Sequence, residues 1–334
     1  MPSLISVKNL TRRYGDFCAV DDLSFELATG DILGFLGPNG AGKSSTMQML
    51  TGNLAPTQGE ISINGIDLLE NPKAAKACLG YLPENPPLYI ELTVSEYLIY
   101  CARLHRVKKA QIQNSCNSAI ERCGLVDVQQ RLIKNLSKGF QQRVGIAQAI
   151  LHSPPVIILD EPTVGLDPIQ ILEIRQLIKT LGENHGIILC THILPEVQAV
   201  CNRVQIINQG SLVYSADISD MLNTRTTQFE FSLSNTISRD ELVRHDVFKS
   251  LQVSSAFNGD NSFIGDTELS AEKLSEYIVQ QKWGLTRFSP YQESLEQTFI
   301  TLTTGDEHTG FSSTIADNSG IENNETEAKT GTGA

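Results

Sequence analysis

The stretch Gly37-Pro38-Asn39-Gly40-Ala41-Gly42-Lys43-Ser44 constrains this chain more than any other. It follows the apolar run Ile32-Leu33-Gly34-Phe35-Leu36 and leads into Ser45-Thr46-Met47-Gln48-Met49-Leu50, which reads as a helix opening. The spacing G-x-x-x-x-G-K-[ST] in a strand–loop–helix setting is that of a phosphate-binding loop. Glycines lack a Cβ and reach backbone angles closed to other residues, so successive N–H groups can turn inward toward a polyphosphate. The helix start adds unpaired N–H groups and positive dipole charge. Lys43 is placed to reach the β- and γ-phosphates, and the Ser44 hydroxyl to ligate Mg²⁺. The expectation is a chain that binds a nucleoside triphosphate.

Around that loop the residues from 4 to 36 read as short strands separated by turns: Leu4–Val7, Phe17–Val20, Leu23–Leu27 and Ile32–Leu36. The alternation of Leu23, Phe25 and Leu27 suits a half-exposed antiparallel strand. Tyr14, read as a turn residue between Arg12 and Asp16, is a candidate to stack on a purine ring. Further on, Gly59–Gly65 reads as a strand and turn, Ile66–Ala77 as a short helix and Leu79–Pro83 as a strand. The run Pro83-Glu84-Asn85-Pro86-Pro87 then marks a boundary. Beyond it Thr93–Val107 reads as a helix whose Thr93 and Glu96 form a capping box, and Lys108–Cys123 as a second helix stopped by Gly124. Residues 85–150 are expected to form a helical subdomain inserted into an α/β core.

Val156-Ile157-Ile158-Leu159-Asp160-Glu161 is an unbroken apolar run closed by two acids, the pattern of a buried parallel strand. Its end lies where open α/β sheets place ligands, at the carboxyl edge. Val164–Pro168 reads as a turn into a helix over Ile169–Gly182. A last core strand, Gly186–Cys190, delivers Thr191 and His192 to the same edge. After about residue 221 the texture changes to a small α+β appendage, with a strand at Phe229–Leu233 and helices at Ala271–Gln281 and Tyr291–Leu302.

Composition narrows the role. A chain of 334 residues has room for two domains. Its net charge of −12 argues against a broad electrostatic grip on nucleic acid or anionic lipid, so no nucleic-acid partner is expected. Asp306, Glu307, Asp317, Glu322, Glu325 and Glu327 sit among Thr, Ser, Asn and Gly with Lys329 as the sole base, and 305–334 is expected to be a disordered acidic tail. The 7 cysteines are scattered without a C-x-x-C pair, and Met1-Pro2-Ser3 opens no apolar signal segment. Both suit reduced thiols in a cytosol. No stretch approaches the roughly 20 apolar residues that span a bilayer.

The phosphate loop, the segment Leu136-Ser137-Lys138-Gly139-Phe140, the Asp160-Glu161 strand end, Gly165-Leu166-Asp167 and His192, in this order, resemble the ATP-binding cassette (ABC) family. Within it the likeness is to ATP-binding subunits of ABC-2-type exporters of the multidrug and gliding-motility kind, which often carry a Tyr-Leu-Pro-Glu stretch, a Leu-Ser-Lys-Gly signature and a C-terminal appendage. The resemblance covers residues 4–220 strongly and the appendage more weakly.

It implies an α/β fold: a P-loop NTPase core over 1–220 with an antiparallel β subdomain and the inserted helical subdomain, then a C-terminal α+β appendage over 221–304. By resemblance ATP is held by Tyr14 as adenine platform, by Gly37, Pro38, Asn39, Gly40, Ala41, Gly42, Lys43, Ser44 and Ser45, and by Ser137, Lys138, Gly139 and Asp167. Asp160 takes the Walker B role of holding Mg²⁺, with Ser44 and Glu84. Glu161 is the catalytic carboxylate that polarises the attacking water, and His192 the switch histidine that contacts the γ-phosphate.

Two departures stand out. In the signature, Lys138 and Phe140 replace the commoner glycine and glutamine; Lys138 either adds a cation beside the phosphate or is solvated. Glu84 stands where many relatives have glutamine, and it either ligates Mg²⁺ or shapes the interface.

One copy of each motif implies a homodimer with ATP sites between a phosphate loop and the other chain's signature. The exporter likeness implies a separate integral membrane permease, with this chain peripheral on the cytoplasmic face of the bacterial inner (plasma) membrane. The competing readings are a soluble non-transport ABC ATPase and a scaffold that binds ATP without turnover.

Overall fold

The computed structural model describes residues 3–219, 227–245, 247–253, 261–291 and 295–304; the segment expected to be an acidic tail lies outside them. The chain opens with β1 (Ser3–Tyr14), β2 (Phe17–Ala28) and β3 (Ile32–Leu36). The first two are longer than their apolar cores suggest. They pair antiparallel through several register shifts, which let the hairpin run past Asn9 and Asp22, two non-glycine residues with positive φ. Tyr14 therefore ends a strand rather than sitting within a turn. The loop after β3 opens α1 (Lys43–Leu50), which is followed by β4 (Gln58–Ile63).

Ile66–Ala77 is not one helix. It divides into β5 (Ile66–Asp67) and α2 (Pro72–Ala77). The Asp67 carboxylate accepts from the N–H groups of Leu69 and Glu70, both at 2.8 Å, closing a turn. Asn71 precedes a proline, which keeps it out of the helical region, so α2 starts only at Pro72. Next come β6 (Leu79–Leu82) and the helices α3 (Val94–Leu104), α4 (Ile112–Arg122) and α5 (Lys138–Ile150). Thr93 and Glu96 form the capping box read from the sequence, each bonding the other's backbone N–H. Then follow β7 (Val156–Asp160), α6 (Pro168–Gly182), β8 (Gly186–Thr191), α7 (Leu194–Val200), β9 (Arg203–Asn208) and β10 (Ser211–Asp217).

The central sheet has the order β10-β9-β3-β8-β7-β6, with β9, β3, β8, β7 and β6 parallel and β10 antiparallel at the edge. Every residue of β3, β7 and β8 is buried, because both faces of the sheet are covered. On one face lies the antiparallel sheet β2-β1-β4-β5, with Leu10, Leu23, Phe35, Met47 and Ile158 in the shared core. On the other lie α3 to α7, with Leu98, Ile120, Ile146, Leu159 and Ile178 in the core.

Gly186–Thr191 is thus not the last core strand. β9 continues the sheet beyond β3, and its polar Arg203 and Gln205 hid the strand from an apolar-run reading although Gln205 is buried.

A third sheet is made of β11 (Gln228–Leu233), β12 (Ser250–Val253), β13 (Ser262–Asp266) and β14 (Leu285–Pro290), with α8 (Arg239–Val243) and α9 (Ala271–Gln280) between them. Its order, β12-β13-β11-β14, all antiparallel, is that of a split β-α-β unit. Phe229, Phe231 and Leu233 alternate onto the face covered by Leu242 of α8 and by Leu274 and Ile278 of α9.

The helix expected at Tyr291–Leu302 is α10 (Leu295–Thr304). Tyr291 instead donates its N–H to Gln228 O at 2.8 Å, extending the ladder beyond β14. Leu295, Phe299 and Leu302 of α10 return to the core of the central sheet.

Candidate functional site

The phosphate loop is locked by two close backbone approaches. A Cβ on Gly37 would lie 2.4 Å from the Ile207 carbonyl of β9, and one on Gly42 would lie 2.4 Å from the Ala19 carbonyl of β2. Gly42 also has φ +104, in the left-handed region, and caps α1 without any side-chain bond. The first N–H groups of α1 are left for a ligand. Lys43 is 7% exposed, and its ammonium donates to Gly37 O at 2.8 Å and Pro38 O at 3.1 Å, lying across the loop it belongs to. Asn39, Gly40 and Ser44 are exposed, Pro38 and Ser45 half-buried, and Ala41 is buried.

β7 and β8 run parallel with Asp160 opposite Cys190, so their carboxyl ends bring Asp160, Glu161, Thr191 and His192 together. Burial pushes the Asp160 carboxyl up from its ordinary range; the Cys190 thiol and Lys43 oppose that, while Glu161 and Glu84 add to it. The charges of Lys43 and Glu84 are therefore both felt at Asp160. Tyr81 on β6 is pushed up to about 12 by burial and by the Asp160 charge.

Glu161 holds φ +48, a left-handed angle for a residue with a side chain, and its N–H donates to Cys190 O at 2.9 Å. The turn swings its carboxylate onto two partners. Nδ1 of His192 lies 2.7 Å from Oε1, and the Thr191 hydroxyl donates to Oε2 at 3.1 Å. Strain of this kind, of order 1–3 kcal/mol, persists only where surrounding contacts overdetermine it.

Ser137 caps α5, its hydroxyl accepting from Phe140 N–H at 3.4 Å. Gly139 lies under Gln170: a Cβ there would be 2.3 Å from Gln170 Oε1. The Lys138 ammonium lies 2.4 Å from where a Cβ on Gly165 would be, and Gly165 has φ +74. Asp167 caps α6, its Oδ1 accepting from Ile169 N–H at 3.0 Å and Gln170 N–H at 2.9 Å. The signature, the Gly165 turn and the first turn of α6 are therefore one packed unit within the chain, and Lys138 is applied to the Gly165 turn. Glu84 is exposed beyond β6. Tyr14 is 44% exposed with the Arg12 guanidinium 4.5 Å over its ring.

A family profile described as ABC transporter matches residues 20–164. The bacitracin transport ATP-binding protein BcrA of Bacillus licheniformis is 34% identical over 309 residues, spanning 91% of this chain and 99% of that protein. The chain belongs to the ABC transporter ATP-binding protein family.

A probable multidrug ABC transporter ATP-binding protein, YbhF of Escherichia coli (strain K12), is 34% identical over 220 residues, covering 66% of this chain and 38% of that one. A solved ATP-binding subunit of an ABC transporter aligns with TM-score 0.60 and 32% identity, covering 66% of this chain and 92% of that one. As an ABC ATPase the chain binds and hydrolyses ATP as a subunit of a transport system.

This ABC ATPase also holds three residues near Glu161 that motif reading passed over or left without a role: Thr163, Thr191 and Glu196, all buried. The Thr163 hydroxyl donates to Glu196 Oε1, and Thr191 Oγ1 lies 3.4 Å from Glu196 Oε2. The available signal was a carboxylate set among Leu194, Val197 and Val200 on a short helix, where an acid has no reason to be unless it is bonded.

Proposed function

We propose that this chain is the ATP-hydrolysing subunit of an ABC-2-type exporter, with MgATP closing a homodimer and hydrolysis reopening it. The observation that carries the mechanism is the Glu161 carboxylate, fixed from both sides by His192 and Thr191 next to the phosphate loop.

Ser44, Asp160 and Glu84 are hard oxygen donors, too few to cage a cation alone, which fits Mg²⁺ arriving with phosphate oxygens completing its shell. Bound there, Mg²⁺ would neutralise charge developing on the transferred phosphoryl group. The α1 N–H groups and Lys43 bind the phosphates, and Tyr14 stacks on the adenine. Glu161 accepts a proton from water whose oxygen attacks the γ-phosphorus; the bond to the β–γ bridging oxygen breaks, giving ADP and phosphate. His192, bonded to Glu161 through Nδ1, offers its other nitrogen to the γ-phosphate. Ser137 and Gly139 of the opposite protomer meet the same phosphate, Lys138 stands beside them on its own Gly165 loop, and Asp167 links the two sites.

The permease is read from the transport relatives and from exposed apolar residues of the segment after Glu84 and of α3. No helix among the described residues is long and apolar enough to cross a membrane. Tyr89, Ile90, Tyr100 and Leu104 are exposed, and Tyr89 packs its ring on Tyr97 and Tyr100. That patch is the docking site for a cytoplasmic segment of a membrane partner, and the chain works on the cytoplasmic face of a bacterial inner membrane.

The test is Glu161→Gln. Turnover should fall at least ~100-fold, the scale of a lost general base, while ATP binding survives and light scattering reports an ATP-dependent dimer. Turnover at the unaltered rate would remove Glu161 from the mechanism.

A further inference from the structure

Glu196 lies on α7, 1% exposed, among Leu194, Val197 and Val200. A carboxylate that deep costs several kcal/mol unless its oxygens are bonded. Both are: Oε1 accepts from the Thr163 hydroxyl and Oε2 lies 3.4 Å from the Thr191 hydroxyl. Thr163 sits in the loop that follows Glu161, and Thr191 ends β8, so this one side chain ties the two segments that carry the site.

Counting protons sharpens the arrangement. Thr191 Oγ1 accepts the Ile193 N–H at 3.1 Å and faces two carboxylates, Glu161 Oε2 at 3.1 Å and Glu196 Oε2 at 3.4 Å. A hydroxyl has a single hydrogen to give. If Thr191 gives it to the nearer Glu161, Glu196 satisfies the remaining contact by carrying a proton and donating it to Thr191. Burial pushes the Glu196 carboxyl up and the Glu161 charge adds to this, while the Thr163 bond, the Arg175 charge and the Thr191 bond oppose it. With a proton on Glu196 the bonds would run from Glu196 to Thr191 to Glu161, and His192 lies on the other Glu161 oxygen.

We propose that Glu196 is a positioning residue for ATP hydrolysis: through the hydroxyls of Thr191 and Thr163 it holds the Glu161 carboxylate and the loop after it in their working orientation. This rests on the reading of Glu161 as the base. Glu196 is remote from ATP in this role, so it affects the chemical step and not nucleotide binding. A displacement of about 1 Å in such a group is enough to cost ~100-fold in rate.

The test uses the full-length chain, measuring steady-state MgATP turnover and, separately, binding of a fluorescent ATP analogue. Glu196→Ala should lower kcat at least ~10-fold with nucleotide affinity within about 3-fold, the signature of an interaction that matters only in the transition state. Glu196→Gln should restore turnover to within about 3-fold, because its amide can donate to Thr191 and accept from Thr163 like a protonated acid. Thr191→Val should repeat the Glu196→Ala loss and Thr191→Ser should not, which decides the matter if Glu196→Ala fails to fold. Wild-type kcat in Glu196→Ala, or a Glu196→Gln chain of unchanged melting temperature as inactive as Glu196→Ala, would overturn the inference. Glu161→Gln run in parallel separates the two readings. If it is inactive while the Glu196 variants are normal, only the positioning role fails; if it is fully active, the base assignment fails first.

Discussion

Asn208 donates its side-chain amide to Leu302 O at 3.0 Å, joining the end of β9 to the C-terminal helix α10. The turn that follows braces the phosphate loop at Ala41. Gly210 donates its N–H to Ala41 O at 3.0 Å within the phosphate loop, and its carbonyl accepts from Asp21 N–H at 2.9 Å. The phosphate loop and α10 therefore share one support. Asn208→Ala is expected to cost about 1 kcal/mol, the worth of one hydrogen bond, and to weaken ATP binding a few-fold while leaving the kcat of bound ATP near wild type. Thermal melting with and without nucleotide checks both; unchanged affinity in a destabilised variant would confine α10 to a structural role.

Two glycines of the loop separate steric from conformational cost. Gly40 has φ +82 with nothing within 4 Å of an added Cβ, whereas Gly42 has φ +104 and the Ala19 carbonyl at 2.4 Å. Gly40→Ala should lose about 1–2 kcal/mol, the penalty of a left-handed non-glycine residue. Gly42→Ala must in addition push a backbone carbonyl of β2, so it should lose more and should abolish nucleotide binding. Equal losses in urea unfolding would show that the loop yields more easily than its contacts suggest.

These contrasts mark what could be read from residues alone. The phosphate loop, the acid-ended β7 and the Thr93–Glu96 capping box are local: each depends on side chains within a few positions, and each stands in the structure as read. β9 escaped because Arg203 and Gln205 break its apolar run, although Gln205 is buried; only pairing with β3 makes it a strand. The position of Lys138 against Gly165 and the bonds of Glu196 to Thr163 and Thr191 join segments 27, 33 and 5 positions apart. No periodicity encodes such contacts. The strand order of the third sheet is equally non-local.

His152 gives the fold an acid sensitivity. Its ring stacks on His105 with centroids 4.2 Å apart and bonds Leu79 O at 3.1 Å. Burial, aided by His105, pushes its pKa down to about 4, against the opposing Leu79 bond. Burial lowers His105 as well. From pH 6.5 down to about 4 the unfolded chain binds more protons than the folded one. The contribution is therefore complete above pH 6.5 and lost as pH falls through that window. Partial solvent access limits it to about 1–2 kcal/mol. Urea unfolding of the wild type should show lower stability at pH 5 than at pH 7. In His152→Gln that difference should shrink; an undiminished difference would assign the acid sensitivity to other groups.

His192 and Thr191 grip opposite oxygens of Glu161, Oε1 and Oε2. Removing the imidazole leaves the carboxylate on a single bond and free to rotate about its last torsion. His192→Ala should therefore lower kcat by about 10- to 100-fold, and it should also lose any contact the ring makes with the γ-phosphate. A carboxylate released on one side gains little further freedom from release on the other. The double variant His192→Ala with Glu196→Ala should then lose much less than the product of the single losses, the non-additivity expected of groups acting through one atom set. If the two losses multiply, His192 and Glu196 act on separate steps. The imidazole would then serve the phosphate alone, and the 2.7 Å contact with Glu161 would contribute nothing to orienting that carboxylate.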